Sequence, residues 1–306
     1  MTYTVVTTAA QGSDEWLDAR RNGIGGSDVA AVVGANPWRT PLEVWLDKTG
    51  QMPREGKTNE RMGWGHRLEP VIREHYAAQR QRTWVDEVPG VLAHPSVTIA
   101  QASLDGLVNA ESGQWGLEVK TTGQTWDRPP DMYLLQVTWY MAVTGLPKFD
   151  IAVLSRGQEY SEFTVERDDR LCDDLLGYAD EWWTQHVVAG TMPDPDLVRD
   201  RDLLPRLWPP DPDAEPVVFD MALATRLRDA KAAMNAARTD FELVAAEAQA
   251  AMREATAAVD PSGTKVASWS GTKAIRRVDT KSLREAGLYE QYSLVGLPGR
   301  SFRVSL

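Results

Sequence analysis

Two kinds of apolar spacing alternate along the first part of the chain, and they predict helices separated by short strands. Steps of three and four apolar positions predict helices over residues 13–20, 40–48, 59–76, 131–144 and 168–189. Alternation with a period of two predicts strands over residues 83–88, 97–100, 149–155 and 160–165, and a hairpin over residues 105–120. This order of elements predicts an α/β fold, in the α+β sense, with a mixed sheet flanked by helices.

Beyond residue 190 the pattern changes. Residues 191–216 contain seven prolines, seven acids and three arginines, a composition that is typical of a linker. From Leu223 to Ala255, apolar and small residues recur in steps of four and three, which predicts a coiled-coil-like helix. The remaining predicted elements are short: two strands around Ser270-Gly271, a helix from Asp279, and a strand over residues 301–304.

The chain is therefore expected to have three parts. Residues 1–190 form the α/β core, residues 191–216 form the linker, and residues 217–306 form a C-terminal extension of a helix and a β-hairpin region. The net charge is −11, but residues 261–306 carry eight Lys or Arg and three Asp or Glu, so this end is +5 and the rest is −16. A local positive patch attracts a polyanion despite a negative total. Three of its residues, here called the basic tail patch, are candidate DNA contacts: Lys273, Arg276 and Arg277.

Composition excludes several classes of protein. The chain has 306 residues, of which 42% are hydrophobic, and no apolar run approaches the length of a membrane span. The N-terminus lacks a basic region followed by an apolar segment, so no secretory signal is expected. Cys172 is the single cysteine, which excludes intramolecular disulfides, cysteine-rich zinc sites and protein-held iron–sulfur clusters. A cytoplasmic location without membrane attachment is therefore expected.

Candidate catalytic chemistry lies in the predicted hairpin. The strand over residues 115–121 places Glu118 and Lys120 side by side on one face, because its side chains alternate with a period of two. A turn over residues 111–114 joins this strand to an upstream strand that begins near Asp105. The hairpin can therefore bring Asp105 close to the acid and lysine pair.

Two carboxylates that converge on one point repel each other unless a cation lies between them. Hard oxygen donors, an adjacent lysine and the absence of cysteine pairs favour Mg²⁺, with Mn²⁺ as a substitute. Such a metal lowers the pKa of a bound water and stabilises charge on a phosphodiester during cleavage. The alternative is an exposed strand face with a surface ion pair, which contributes little to stability and does no chemistry.

One more acid and one more basic group are candidates for a site. Glu69 lies among apolar neighbours of its predicted helix, where an unpaired carboxylate is costly, so it needs a partner, and a metal is one candidate. Arg20 follows Trp16 by one helical turn. A glycine-rich turn then leads to a helix that is expected to start at Ser27, and its backbone N–H groups favour an anion. The alternative for this turn is an ordinary capped helix.

Six short motifs occur in order: Trp16-x-x-x-Arg20, Gly25-Gly26-Ser27-Asp28, Gly65-His66-x-x-Glu69, Ser103-Leu104-Asp105-Gly106, Glu118-Val119-Lys120 and Gln136. Together they resemble the YqaJ-type viral recombinases, a family related to phage lambda exonuclease within the PD-(D/E)xK nuclease superfamily. The resemblance covers about residues 13–165 and implies a restriction-endonuclease-like core. Leu104 departs from the proline that the superfamily name implies, at a position that shapes a bend and does no chemistry.

The resemblance implies a role for each matching residue. Lys120 would position or deprotonate the attacking water, and Gln136 would orient it from the neighbouring helix. Arg20 and Ser27 would form the pocket for a 5′-phosphate. The implied metal ligands are Asp105, Glu118 and the carbonyl of Val119 for one ion, with Glu69 assisting a second.

The resemblance also implies an activity and partners. The reaction would be metal-dependent hydrolysis of linear double-stranded DNA from a 5′ end, leaving a 3′ single strand for a single-strand annealing protein. The protein would form a homo-oligomeric ring of three or four subunits in a bacterial host cell, with a phage or prophage origin. Two alternatives remain open. One is an endonuclease of the same superfamily that cuts internally, and the other is a non-catalytic DNA-binding or assembly protein.

Overall fold

The computed structural model describes residues 3–52, 60–88, 90–271 and 279–293, with the side chains of residues 61 and 62 excluded. The chain divides into two compact units, Met1–Asp202 and Leu203–Leu306, and the division falls within the stretch predicted as a linker. The basic tail patch and the predicted strand over residues 301–304 lie outside the described residues.

The predicted helices of the first unit are present, and their ends follow from local capping. Ser13 and Thr40 accept hydrogen bonds from backbone N–H groups of the turns that they begin, and Pro41 occupies the first helical position. The last helix continues as a π-helical segment over Trp183–Val188. The α-helices are α1 Asp14–Arg21, α2 Gly26–Val32, α3 Pro41–Lys48, α4 Glu60–Ala78, α5 Asp131–Thr144 and α6 Asp169–Trp182.

The strands of this unit form two sheets. The larger sheet has the order β2-β5-β6-β7-β8, and the smaller one has the order β1-β3-β4. The larger sheet contains β2 Thr83–Asp86, β5 Gly106–Ala110, β6 Gly113–Thr122, β7 Lys148–Ser155 and β8 Glu159–Glu166. The smaller sheet contains β1 Thr4–Thr7, β3 Val91–Ala93 and β4 Gln101–Ala102.

The pairing of the larger sheet confirms the predicted fold class of a mixed sheet flanked by helices. Strands β6 and β7 are parallel, and the other three pairs are antiparallel. A parallel pair needs a crossover connection, and α5 provides it here. Strand β6 of the hairpin therefore lies beside a strand that runs in the same direction, and the chain returns between them through α5.

One predicted strand is wrong. Residues 97–100 alternate in polarity, yet only Ala100 pairs, through a single parallel bridge with Ile24. The residues before it form a turn in which the Ala100 N–H donates to the Val97 carbonyl at 2.9 Å. The smaller sheet pairs on either side of this turn, in strands of two to four residues that the sequence pattern did not indicate.

The larger sheet presents two different faces. Leu117 and Val119 of β6 pack with Ile72 and Tyr76 of α4 in one hydrophobic cluster. Glu118 lies on the opposite face, as the period of two predicts, and contacts α5. Burial of Leu117 and Val119 therefore fixes the direction in which Glu118 and Lys120 point.

The second unit contains the long predicted helix. Its apolar positions are largely exposed, with Phe241 at 71%, and the helix ends before Ala255. Its described strands pair through a turn over residues 260–264. The first of the two strands predicted around Ser270-Gly271 is present over Lys265–Ser268, and the second falls outside the described residues. The elements are α7 Leu204–Leu207, α8 Met221–Met252, β9 Ala257–Val259, β10 Lys265–Ser268 and α9 Thr280–Glu285. In the described part of the chain, every helix is too short or too polar to span a bilayer.

Candidate active site

The hairpin of β5 and β6 brings the three hairpin residues of the predicted site together. Asp105 immediately precedes β5, and its Oδ2 accepts a hydrogen bond of 2.8 Å from the backbone N–H of Val119. On β6, Glu118 is only 2% exposed. The Lys120 ammonium, two residues further along the same face, donates to Glu118 Oε1. The sequence-local pair and the more distant aspartate thus meet as expected.

Helix α5 supplies the next layer of the site. The Gln136 amide Nε2 donates to Glu118 Oε1 at 2.7 Å and to the Tyr140 hydroxyl at 2.9 Å. Glu118 Oε1 therefore accepts from both Lys120 and Gln136. Its other oxygen, Oε2, is buried and has no hydrogen-bond partner among the described residues. Such an orphaned carboxylate oxygen is costly in the absence of a ligand.

Glu69 approaches the same region from α4. Its Oε1 lies 3.9 Å from Nη1 of Arg73, one helical turn further along. The same Arg73 nitrogen donates to the Asp105 carbonyl at 2.8 Å. Arg73 therefore links the helix to the bend that carries Asp105. It is not among the predicted site residues, although the spacing Glu69-x-x-x-Arg73 on a predicted helix was a usable signal.

The three acids carry unfavourable electrostatics. Burial, followed by the charge of Asp105, raises the pKa of Glu118 to about 8 and that of Glu69 to about 7. Burial also raises the pKa of Asp105. Burial opposes the charge of Lys120 as well, but Glu118 and Asp105 outweigh it and raise the pKa of Lys120. The site therefore holds more buried negative charge than its one lysine neutralises.

The donor set fits a hard divalent cation. It consists of carboxylate oxygens with one orphaned oxygen on Glu118, and the carboxylates disfavour each other's charged forms. The described residues contain no group of three His, Cys, Asp or Glu side chains already arranged around one metal position. Lys120 instead holds Glu118 Oε1, so these carboxylates are near one another without being preorganised ligands.

Arg20 and Ser27 form a second polar group. Arg20 Nη2 donates to Ser27 Oγ at 3.0 Å, and its guanidinium lies 4.8 Å from the centre of the Trp16 ring. The prediction that the helix starts at Ser27 is one residue late, since α2 begins at Gly26 with Gly25 as its N-cap. Ser27 therefore lies in the first turn, where N–H groups lack partners within the helix.

A buried carboxylate organises this second group. Asp28 is fully buried and accepts from the Gly25 N–H at 3.0 Å and from the Lys48 ammonium at 2.7 Å. Arg39 donates to the Oδ1 oxygen of Asp28, and Arg20 Nη2 lies 3.8 Å from Oδ2. Burial alone would raise the pKa of Asp28, but Lys48, Arg39 and Arg20 hold that pKa well below its ordinary value. Asp28 therefore remains charged, although the sequence indicated only a helix cap.

The two polar groups share one cavity of about 360 Å³. Its lining includes Arg20 and Ser27 on one side and Asp105, Glu118 and Lys120 on the other. The lining also includes His66, whose side chain is exposed and which sequence analysis did not select. The remaining predicted residues Glu69, Val119 and Gln136 line the same cavity.

Gly26 lets the two halves of the cavity approach. A Cβ at this position would lie 2.5 Å from Cε1 of Tyr140 and 2.9 Å from Cγ of Gln136. Neither distance is sterically possible without movement, so α2 could not pack against α5 in this way with any side chain at residue 26. The α2 backbone at Gly26 therefore packs directly against the side chains of Tyr140 and Gln136 on α5.

The model of one protein family, the YqaJ-like viral recombinase domain, matches residues 15–147. The matched segment includes all of the predicted site residues except the basic tail patch.

One curated protein and several solved structures are similar to this chain. The chain is 35% identical over 188 residues to the uncharacterized protein YqaJ of Bacillus subtilis strain 168, and the match covers 59% of this chain and 58% of that relative. It is also similar to an alkaline exonuclease of Laribacter hongkongensis, LHK-Exo, with 25% identity and a TM-score of 0.49 over 58% of this chain and 94% of that one. LHK-Exo in complex with dAMP gives 24% identity and a TM-score of 0.49 over 64% and 100%.

Proposed function

We propose that the protein is a metal-dependent exonuclease that hydrolyses linear double-stranded DNA from a 5′ end and leaves a 3′ single strand. The observation that carries this proposal is the shared cavity, in which a basic group faces a cluster of acids with one lysine. A terminal phosphate has more charge than an internal one, so a basic pocket beside the acids favours substrates with a phosphorylated end.

The basic half of the cavity is suited to hold the end phosphate. The Trp16 ring and Asp28 fix the position of the Arg20 guanidinium, which then needs little further ordering to bind an oxyanion. The first turn of α2 adds the Ser27 hydroxyl and backbone N–H groups. The match to the YqaJ-like family model supports the same assignment, since Arg20 and Ser27 lie in the matched segment.

The acidic half is suited to chemistry on the phosphodiester. Mg²⁺, or Mn²⁺ in its place, would be held by Asp105, Glu118, the Val119 carbonyl and Glu69, and when bound would supply a water of lowered pKa and charge stabilisation. The raised pKa of Lys120 keeps its ammonium protonated, which favours the positioning role over the role of general base. Gln136 holds Glu118 through its amide, and so acts on the carboxylate as well as on any nearby water.

The expected product and partner follow from hydrolysis that begins at a 5′ end. A 3′ single strand is the substrate of a single-strand annealing protein, so we propose such a protein as a partner. A homo-oligomeric ring of three or four subunits, which would enclose the duplex, is proposed from the family resemblance. Both proposals concern the full protein, because this chain spans only 58% of the length of its curated relative.

The competing endonuclease would use the same acids but would not need a pocket for an end. A purely structural DNA-binding protein would need neither Lys120 nor the acids. The decisive assay compares linear duplex with nicked circular duplex, each with Mg²⁺ and with EDTA. We expect cleavage of linear DNA only with the metal. Equal cleavage of the nicked circular duplex would establish the endonuclease, and no cleavage of either DNA would exclude a nuclease.

Lys120→Ala gives the matching test of the site. We expect loss of cleavage by several orders of magnitude with retained folding and DNA binding, because the positioned water supplies much of the rate. Lys148→Ala is the control, since Lys148 lies on the neighbouring strand β7, stacks on the Trp115 ring at 4.4 Å and does not line the cavity. Near-normal turnover of Lys120→Ala would refute the assignment.

A further inference from the structure

A second groove opens beside the active-site cavity. It has a volume of about 410 Å³ and is lined by Trp64 and Leu68 of α4, Leu154 of β7 and the turn at Arg156-Gly157. Thr121, the residue after Lys120, lines both the groove and the cavity. The groove therefore borders the active-site cavity at Thr121.

Trp64 presents an aromatic face in this groove. Trp64 is 51% exposed and immediately precedes the motif Gly65-His66-x-x-Glu69. The guanidinium of Arg67 lies 5.3 Å from the centre of its ring. An exposed tryptophan flanked by a cation, next to a site for phosphodiesters, has the chemistry that stacks on nucleobases.

The opposite wall carries a conformational anomaly. Arg156 and Gly157 are the central residues of the turn between β7 and β8, with φ of 53° and 74°. Such turns favour Asn-Gly or Gly-Gly, because a residue with a bulky side chain is strained at positive φ. The Arg156 N–H nevertheless donates to the Thr122 carbonyl at 2.7 Å, which ties the turn to the end of β6. A strained arginine held beside a catalytic strand points to a role for its side chain.

We propose that this groove binds an unpaired stretch of the DNA strand, with Trp64 stacking on a base and Arg156 contacting a backbone phosphate. The inference rests on the proposed nuclease function and names the path of the strand next to the cavity. Glu60 also lines the groove, and its carboxylate would repel a phosphate. The phosphate contact is therefore assigned to the Arg156 side. The apolar stems of Leu68 and Leu154 complete a surface that tolerates any base.

The test measures binding separately from cleavage. In a Lys120→Ala background, fluorescence anisotropy with a labelled single-stranded oligonucleotide gives the Kd for three further variants. We expect Trp64→Ala to raise the Kd about 5- to 100-fold, as loss of one base stack does. Trp64→Phe should restore most of the affinity, because the ring face remains. Trp84→Ala is the control, since Trp84 is 57% exposed but lies on the edge strand β2.

Arg156→Asn tests the second contact. Its thermal midpoint should equal or exceed that of the parent, because asparagine tolerates positive φ. The slope of log affinity against log salt concentration should become shallower by about the amount that one phosphate contact contributes. A Trp64→Ala Kd within twofold of the Trp84→Ala value, or an unchanged salt slope in Arg156→Asn, would overturn the proposal. Because binding is measured without turnover, these outcomes are independent of whether the wild-type protein cleaves DNA.

Discussion

Asp28→Asn is the substitution that the structure marks as most damaging to the anion pocket. The change keeps the shape of the side chain but removes a charge that is fully buried. The Lys48 side chain is only 2% exposed and has this carboxylate as its close acidic contact, at 2.7 Å. Without Asp28, the ammonium would remain buried with Asp47 as its nearest acid at 3.9 Å.

The magnitude follows from this burial. Removing one partner of a buried ion pair costs about 3–5 kcal/mol, because the other charge is left uncompensated. Lys48 falls in that class, whereas Arg39 and Arg20 are 28% and 30% exposed and recover part of their hydration. We therefore expect Asp28→Asn to lower the free energy of unfolding by about 3–5 kcal/mol, and most of this loss to come from Lys48.

Urea denaturation of the two proteins at pH 7 measures this difference. The matched control is Asp47→Asn, since the Asp47 side chain contacts Arg39 at 2.9 Å but is 34% exposed. We expect the control to cost about 1 kcal/mol or less, as partly exposed pairs do. If Asp28→Asn also costs less than 1 kcal/mol, the claim that a buried carboxylate holds the pocket together is wrong.

The pH dependence gives a second check on Asp28. The pKa of Asp28 is lowered in the folded state. Its contribution to the free energy of unfolding is therefore present above the ordinary carboxyl pKa of about 3.9 and is lost as the pH falls toward the folded-state pKa. The difference in stability between wild type and Asp28→Asn should therefore be constant from pH 5 to 7 and shrink below about pH 4. A difference that persists unchanged at lower pH would mean that packing, and not charge, causes it.

Four further predictions concern the cavity and the tail. Arg20→Ala should abolish most of the preference for 5′-phosphate over 5′-hydroxyl linear duplex, and an unchanged ratio of the two rates would remove Arg20 from end recognition. Mg²⁺ or Mn²⁺ should support cleavage while Ca²⁺ binds without supporting it, and calorimetry should find weaker metal binding in Asp105→Asn. In EDTA, stability should fall as the pH rises from about 4.5 to 8 because burial raises the pKa of Glu118 to about 8, and Glu118→Gln should weaken this pH dependence in urea titrations. Neutralising the basic tail patch should flatten the dependence of DNA affinity on salt, and an unchanged slope would mean that the patch does not contact DNA.

The part of the site that is local in sequence could be predicted from sequence. Glu118 and Lys120 are two residues apart on one strand, and Asp105 is joined to them by a short hairpin, so period and turn chemistry suffice to place them. Arg20 and Ser27 are similarly close along the chain. The rules of strands, turns and helix ends place these residues near one another, whereas their roles were predicted only from the family resemblance.

The rest depends on long-range pairing that no local pattern encodes. Strand β1 pairs with β3 across almost ninety positions, for example Thr4 with Ala93, and both strands are short. Lys48 reaches Asp28 from a different helix, and its charge gives no sign along the sequence that it is buried. Residues 97–100 show the reverse error, where alternation was present but no partner strand lay alongside.

The contact at Gly26 has a consequence for the length of the product. Because a side chain at position 26 would collide with the Tyr140 ring and the Gln136 side chain, the distance between the basic and acidic halves of the cavity is set by the close packing of the α2 backbone against these two side chains of α5. In the proposed exonuclease, the number of nucleotides between the bound terminus and the cleaved bond would then be constant from one turnover to the next. Products of uniform size are the expected output, and a larger residue at position 26 would be expected to shift or blur that size.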